Sequence, residues 1–289
     1  MTCEFWILVY KIKVSATPKG VLMKTVILAG GFGTRFSEET FIRPKPLIEI
    51  GSLPIICHLM DIYSTQGFNE FILCLGYKSE DVKNWFLNYY ASLSDFSLDF
   101  KDGTKQTLSH KAKDWKVTFV DTGDSTNTAG RVRRISHLVK DEKFFLTYAD
   151  GLGNIDLKEL LSHHNSRKEN AVTLTATPSY SRFGELEIIS DRVHTFEEKG
   201  LDNQKLVNSG FFVVEPKIFN MFDLGDDDSW EKGVLEPLTL QDQLGAYKHL
   251  GFWKPMDTLR DKRELESLIT KGETPWLELG GEKVKHVKR

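Results

Sequence analysis

The chain of 289 residues has room for one large domain, or one domain with a smaller appendage, against a prior of roughly 150 residues per domain. Its 40% hydrophobic and 27% charged residues fall in the ordinary globular range, which excludes collagen-like repeats, coiled coil and wholesale disorder. With 38 basic against 41 acidic side chains and a net charge of −3, it has no positive surplus to displace counterions from a nucleic-acid backbone. Nucleic acid is therefore not an expected partner.

Residues 1–22 read as an upstream extension, because Met23-Lys24-Thr25-Val26-Ile27-Leu28 looks like a chain start running into a buried strand. An extra edge strand is the alternative reading. The longest apolar run there, Phe5 to Tyr10, is too short for a signal-peptide core and far short of the ~20 residues that span a bilayer. No membrane partner is expected. Cys3, Cys57 and Cys74 are too widely spaced for a C-x-x-C motif and odd in number, which suits a reducing, cytoplasmic setting.

Short apolar runs follow at Val26–Ala29, Phe71–Leu75, Val117–Val120, Phe144–Tyr148, Val172–Ala176 and Phe211–Val214, the pattern of strands buried on both faces. Helical periodicity lies between them. Pro54–Gln66 places Ile55, Leu59, Ile62 and Tyr63 on one face and ends at Gly67. Ser79 is the expected N-cap of the next helix, with Val82, Trp85, Phe86 and Tyr89 on its apolar side. Arg131–Lys140 and Asp156–Ser166 repeat the pattern. Glu185–Ile189, Val193–Phe196 and Gly245–His249 read as antiparallel additions, and Leu259–Thr270 as a final helix.

Strand alternating with helix predicts a doubly wound α/β fold: a mainly parallel, Rossmann-like sheet with an antiparallel C-terminal elaboration. The expected domain covers residues 23–279, followed by a basic tail at 280–289. Ligands of such sheets bind beyond the carboxyl ends of the strands, so the loops after Leu28, Val120 and Tyr148 are the places to seek chemistry.

The strongest local signal is Leu28-Ala29-Gly30-Gly31-Phe32-Gly33-Thr34-Arg35, a glycine-rich loop after a buried strand, where backbone N–H groups can approach phosphate closely. A Rossmann fingerprint starting at Gly31 would need glycine or alanine at Phe36, and a Walker A loop starting at Gly30 would need Gly-Lys at Arg35 and Phe36. Both fail. Further on, Pro44-Lys45-Pro46 fixes φ on both sides of one lysine and makes it an aimed charge. A tight turn and a stiff surface loop are the plainer reading of the two pieces.

These motifs together resemble the signature of the sugar-phosphate nucleotidyltransferases, which join a nucleoside triphosphate to a sugar 1-phosphate and release pyrophosphate. Ser37-Glu38-Glu39-Thr40, Val120-Asp121-Thr122-Gly123-Asp124, Gly130-Arg131, Phe252-Trp253 and Pro255-Met256-Asp257-Thr258 extend the resemblance, specifically to the cytidylyl-transferring members, from about Met23 to Trp276. It implies the nucleotide-diphospho-sugar transferase fold, CTP and a hexose 1-phosphate (glucose 1-phosphate first) as substrates, Mg²⁺ as cofactor, and a homo-oligomer with the aromatic helix around Trp85 as candidate contact.

The resemblance also implies roles. Leu28, Ala29, Gly30, Gly31, Phe32, Gly33 and Thr34 would cradle the nucleotide, with Arg35 steadying the departing pyrophosphate and Lys45 close to the reacting phosphates. Thr126 and Arg131 would meet the cytosine and its nucleotide. Asp150 and Asp257 fall where the family places its magnesium ligands, and two carboxylates suffice when phosphate and water oxygens complete an octahedron. Glu198, Lys199 and Asn208 would take the sugar and its phosphate, Arg35, Lys45 and Lys199 being the catalytic cations.

Two departures stand out: Gly200 replaces the usual proline after Lys199, and Ala129 replaces a frequent glycine and is expected to crowd the base pocket. Asp226-Asp227-Asp228 lacks EF-hand spacing and reads as a solvated turn before a Ser229 cap. Cys57 and Cys74 read as inert. The alternatives are the same transfer with another base or sugar, a non-catalytic nucleotide-sensing subunit, and a dehydrogenase, the last weakened by Phe36.

Overall fold

The structure, a computed structural model, describes residues 23–31, 43–179, 185–189, 192–197 and 205–279. The expected N-terminal extension and basic tail lie outside the described residues. Seven strands form the central sheet: β1 Thr25–Leu28, β2 Glu70–Leu75, β3 Lys116–Asp121, β4 Phe144–Tyr148, β5 Val172–Pro178, β6 Leu206–Val214 and β7 Leu244–Lys248, in the order β7-β5-β6-β4-β1-β2-β3. β1 pairs parallel with β2 and β4, β2 with β3, and β5 with β7. Only β6 runs against its neighbours β4 and β5. The chain leaves β1 toward β2 and β3, then returns to β4 on β1's other side. A crevice opens at such a switch, beyond the ends of β1 and β4.

Alternation along the strands splits the core in two. Ile27, Phe71, Leu73, Phe145, Phe211 and Val213 face one layer, with α1 Ile55–Ser64, α4 Leu157–Asn165 and Leu265 of α5 Leu259–Thr270 packed on it. Val26, Ile72, Cys74, Leu146, Phe212 and Val214 face the other, covered by Ala129 and Val132 of α3 Thr128–Arg134 and by the segment from Ile218 to Leu238. Gly67 stops α1 as expected: its φ of 95° is left-handed and its N–H reaches Ser64 O at 3.0 Å. Asp156 caps α4 through its carboxylate, which accepts from the N–H groups of Lys158 and Glu159.

The expected fold class is the one observed, and several local readings change. The strand read at Gly245–His249 is not an antiparallel addition: β7 joins the main sheet parallel to β5. Both start at the end where β6 finishes, the N–H of Ala171 bonding Gln243 O at 2.8 Å. β3 is an edge strand, half-buried to exposed, so it lacks the double burial expected of Val117–Val120. The helix expected over Arg131–Lys140 is two, α3 and Ser136–Val139, with buried Ile135 at the break. Ser79 is the first residue of α2 Ser79–Ser92 rather than its cap; Lys78 precedes it at φ 57°, and the Ser79 hydroxyl turns to Asp121 at 3.1 Å.

Asp226–Asp228 is the expected solvated turn before Ser229, whose hydroxyl accepts from Lys232 N–H at 3.2 Å, and it makes further contacts. Asp226 accepts from Arg133 at 2.7 Å and from Arg134 at 2.6 and 3.0 Å, and these guanidinium bonds hold its carboxyl at about 2. The carbonyls of Asp226 and Asp228 take the N–H groups of Asn127 and Ala129 at 2.7 and 3.0 Å, so the segment docks the start of α3. A hairpin of Ser94–Leu98 with Lys105–His110, exposed on nearly every residue, is not among the expected elements, although Phe96, Leu98 and Phe100 alternate with polar residues and Asp102-Gly103 marks its turn. The antiparallel hairpin Glu185–Ile189 with Arg192–Glu197 follows the expected elaboration. No helix among the described residues is long and apolar enough to cross a membrane. Cys57 and Cys74 are buried free thiols, and burial pushes Cys74 up to about 12, which suits inertness.

Candidate active site

A cleft of about 320 Å³ opens at the switch point, lined by Leu28, Ala29, Gly30 and Gly31 after β1, by Lys45, by Thr126 and Arg131 at α3, and by Tyr148, Asp150 and Asp257. The residues expected to continue the glycine loop, Phe32, Gly33, Thr34 and Arg35, lie outside the described residues, as do Glu198 and Lys199.

Three expected residues converge. Lys45 opens a 3₁₀ turn, Lys45–Leu47, whose Pro46 and Leu47 are buried. That anchoring brings its Nζ to 2.7 Å from Asp150 Oδ2 and 2.9 Å from Asp257 Oδ1. The lysine side chain is only 14% exposed, against 34% and 35% for the carboxylates. Burial alone would lower the lysine's pKa, but the two carboxylates together outweigh it and hold it raised, so the ammonium stays charged.

Asp150 reaches the crevice because β4 ends just before it. Asp257 is delivered by an arm, Trp253–Pro255, that pairs antiparallel with Gly151–Gly153, and the N–H of Met256 then donates to Asp150 O at 2.8 Å. Beyond it, Thr258 and Asp261 form a capping box at the start of α5. Buried Asp261 accepts through Oδ2 from the N–H groups of Asp257 and Thr258 at 3.2 and 2.9 Å. The sequence reading missed this positioning residue, although Thr258-x-x-Asp261 carries the spacing that would have found it.

Arg131 is buried. Its Nη1 donates to Leu75 O, Thr122 Oγ1 and Gly123 O at 2.9, 2.7 and 2.8 Å, and its Nη2 to Gly30 O at 2.8 Å and Asp124 O at 3.3 Å. One side chain thereby ties the glycine loop to the end of β2 and to the loop after β3. A Cβ at Gly30 would stand 2.2 Å from Arg131 Nη1, and one at Gly76 2.6 Å from it, so both positions admit only glycine while the guanidinium holds its place. Gly76 is a second site-shaping residue without a motif to announce it. Ala129, on α3, is buried in the core and is not among the residues lining the cleft. Thr126 is buried on the wall. Asn208 lies on β6 with its Oδ1 on Gly210 N at 2.9 Å.

The fold and cleft are those of a nucleotide-handling transferase, and the chain belongs to the Nucleotidyl transferase family, whose model matches residues 24–254. It is a nucleotidyltransferase. Within that class it is similar to the glucose-1-phosphate cytidylyltransferase of Salmonella typhimurium (strain LT2), with 45% identity over 255 residues, 88% of this chain and 98% of the relative. It is also similar to the probable glucose-1-phosphate cytidylyltransferase of Bacillus subtilis (strain 168), 41% identical over 88% of this chain and 99% of that one. Among solved structures, HddC from Yersinia pseudotuberculosis matches with a TM-score of 0.63 at 23% identity, covering 86% of this chain and 99% of that one. Apo-UDP-glucose pyrophosphorylase matches at 0.61 and 16%, covering 87% and 99%. At these identities the solved structures speak for the fold alone.

Proposed function

We propose that the protein transfers the cytidylyl group of CTP to glucose 1-phosphate, forming CDP-glucose and releasing pyrophosphate. The observation that carries the reading is the convergence of Lys45, Asp150 and Asp257 in the cleft, combined with the similarity to glucose-1-phosphate cytidylyltransferases over most of the chain.

In this reaction an oxygen of the sugar phosphate bonds to the α-phosphorus of CTP while the bond to the β-phosphate oxygen breaks, its electron pair leaving with pyrophosphate. The attacking phosphate is already ionised near neutral pH, so the protein need not take its proton. Its task is to bring two mutually repelling anions into line. Lys45 supplies a fixed positive charge beside the reacting phosphates, and Gly30 and Gly31 let the backbone approach the nucleotide. Arg131 sets the shape of the base pocket by holding Gly30 and the loop after β3, while Thr126 faces the nucleotide from the wall. We assign Arg35 to the pyrophosphate, Glu198 and Lys199 to the sugar phosphate, and Asn208 to the sugar.

The donor set suits a hard divalent ion: two carboxylate oxygens already converge on one cation, the Lys45 ammonium, and no softer ligand stands among the lining residues. Asp150 and Asp257 would hold Mg²⁺, which when bound supplies positive charge to the phosphates. Exposed apolar side chains on α2 and the neighbouring hairpin, Leu87, Phe96 and Leu108 among them, favour a homo-oligomer, which sedimentation would reveal.

Pyrophosphate release measured over a matrix of triphosphates and sugar 1-phosphates tests the assignment. Turnover confined to CTP with glucose 1-phosphate is the expected result, and preference for another pair would replace it. A second reading, guanylyl transfer, has the support of a 25% identical relative, the D-glycero-alpha-D-manno-heptose 1-phosphate guanylyltransferase of Aneurinibacillus thermoaerophilus, and the same matrix decides it.

A further inference from the structure

Beside Asp150, Tyr148 leads from the cleft to Glu231, and the transfer step as described gives neither of these two a role. Tyr148 lines the cleft two positions before Asp150. Its hydroxyl donates to Glu231 Oε1, and the Asn208 side chain stands beside the same hydroxyl. Three separate elements contribute: β4, β6 and a π-helical turn, Glu231–Leu235.

Each member is held in place. Gly210, at φ 82°, lies so close to the Tyr148 ring that a Cβ would come within 2.5 Å of Cδ2. Trp230 is fully buried against Phe212, and its backbone N–H donates to Thr128 Oγ1 at 2.7 Å, which pins the turn beside the nucleotide wall. The turn is π-wound just before Pro237, which offers no N–H to continue a regular ladder.

The chemistry of the trio suits a polyol. Asn208 spends its oxygen on Gly210 and keeps its amide hydrogens as donors. Tyr148 spends its proton on Glu231 and keeps oxygen lone pairs. Glu231 is solvent-exposed, and the phenol takes one of the roughly four acceptor sites of a carboxylate. A phosphate would be repelled there, whereas a neutral sugar hydroxyl can donate to the carboxylate. The group therefore faces the uncharged part of the acceptor substrate.

We infer that Glu231, oriented by Tyr148, reads a hydroxyl of the hexose and so decides which hexose 1-phosphate is accepted. The inference rests on the proposed transfer to a hexose 1-phosphate. Tyr148 is a positioning residue in this scheme, and Glu231 touches the substrate.

The test compares Glu231→Gln and Tyr148→Phe with the unsubstituted protein, using CTP with glucose 1-phosphate and with its 2-, 3-, 4- and 6-deoxy analogues. Glu231→Gln should raise KM for glucose 1-phosphate by roughly tenfold or more, leave KM for CTP and the melting temperature unchanged, and lose the discrimination against one particular deoxy analogue. Tyr148→Phe should do the same to a smaller degree. Unchanged selectivity across the deoxy panel, or an equal loss for both substrates, would overturn the inference and leave the pair as a tie between two elements. Should Glu231→Gln not fold, Tyr148→Phe, which keeps the ring packing, decides alone. Failure of the unsubstituted protein to make CDP-glucose would instead sink the assignment of the reaction; the panel is then run with the triphosphate that does release pyrophosphate, and the same outcomes decide.

Discussion

Lys45 and Asp257 are 212 positions apart in the sequence and 2.9 Å apart in the structure, and the same ammonium is 2.7 Å from Asp150. One cation thereby holds together two carboxylates that would otherwise repel. If Asp150 and Asp257 hold a divalent ion, as proposed, that ion and the Lys45 ammonium would draw on the same two carboxylates and would compete for them.

Removing the ammonium should separate those roles. Lys45→Met is expected to bind Mn²⁺ more tightly than the unsubstituted protein when no nucleotide is present, while turnover falls on the order of a hundredfold or more. Electron paramagnetic resonance of free Mn²⁺ reads the first effect and pyrophosphate release the second. Equal metal affinity in the two proteins would mean that lysine and metal do not share a position.

Asp257 depends on its own support. Asp257→Asn should weaken Mn²⁺ binding and abolish turnover with the fold intact. Asp261→Ala leaves the N–H groups of Asp257 and Thr258 without their acceptor and should cost about 1–3 kcal/mol of stability. If Asp261 positions the metal ligand, Mn²⁺ affinity also drops; a loss of melting temperature with normal metal affinity would limit it to capping.

Arg131 and the two glycines around it form one unit. Gly76→Ala would put a Cβ within 2.7 Å of the Gly30 carbonyl, which is backbone and cannot swing aside, so a cost of roughly 1–3 kcal/mol is expected. Arg131→Lys keeps the charge but loses the planar fork that reaches both Gly30 and Thr122. Its KM for CTP should rise well above its effect on KM for the sugar phosphate, and steady-state kinetics varying each substrate in turn would expose a contrary pattern.

Three imidazoles give stability a pH dependence. Burial holds His58, His164 and His249 below the ordinary 6.5. Between the depressed folded values and 6.5 the unfolded chain binds more protons, so stability rises with pH in that window and is lost as pH falls through about 6.5. The melting temperature should be flat from about pH 8 to 7 and decline below about 6.5. Calorimetry of His164→Gln should show a shallower decline, and an identical slope would exclude His164.

Much of this molecule is written locally. The runs at Val26–Ala29, Phe71–Leu75 and Phe144–Tyr148 became adjoining strands because burial between two helical layers demands continuous apolar segments. Gly30, Gly31 and Lys45 between its prolines announced themselves through backbone rules that act over a few residues, whereas a carboxylate just after a strand end is a weak signal by itself, and Asp150 was marked by the family resemblance. Hydropathy could also mark a strand at 245–249. It could not give its direction, because pairing partner and orientation are not properties of the segment.

Other relationships had no local trace. Nothing near Arg131 says that its guanidinium will lie against Gly30 and Gly76, or that the solvated turn at 226–228 will also dock the start of α3. Asp257 meets Lys45 only because a short arm at 253–255 pairs with 151–153, and Tyr148 meets Glu231 only because a turn far along the chain is pinned by Trp230. Periodicity and turn chemistry are short-range and survive in the order of residues. Convergence of charges is set by how the layers close over the sheet, and it comes into being only when they do.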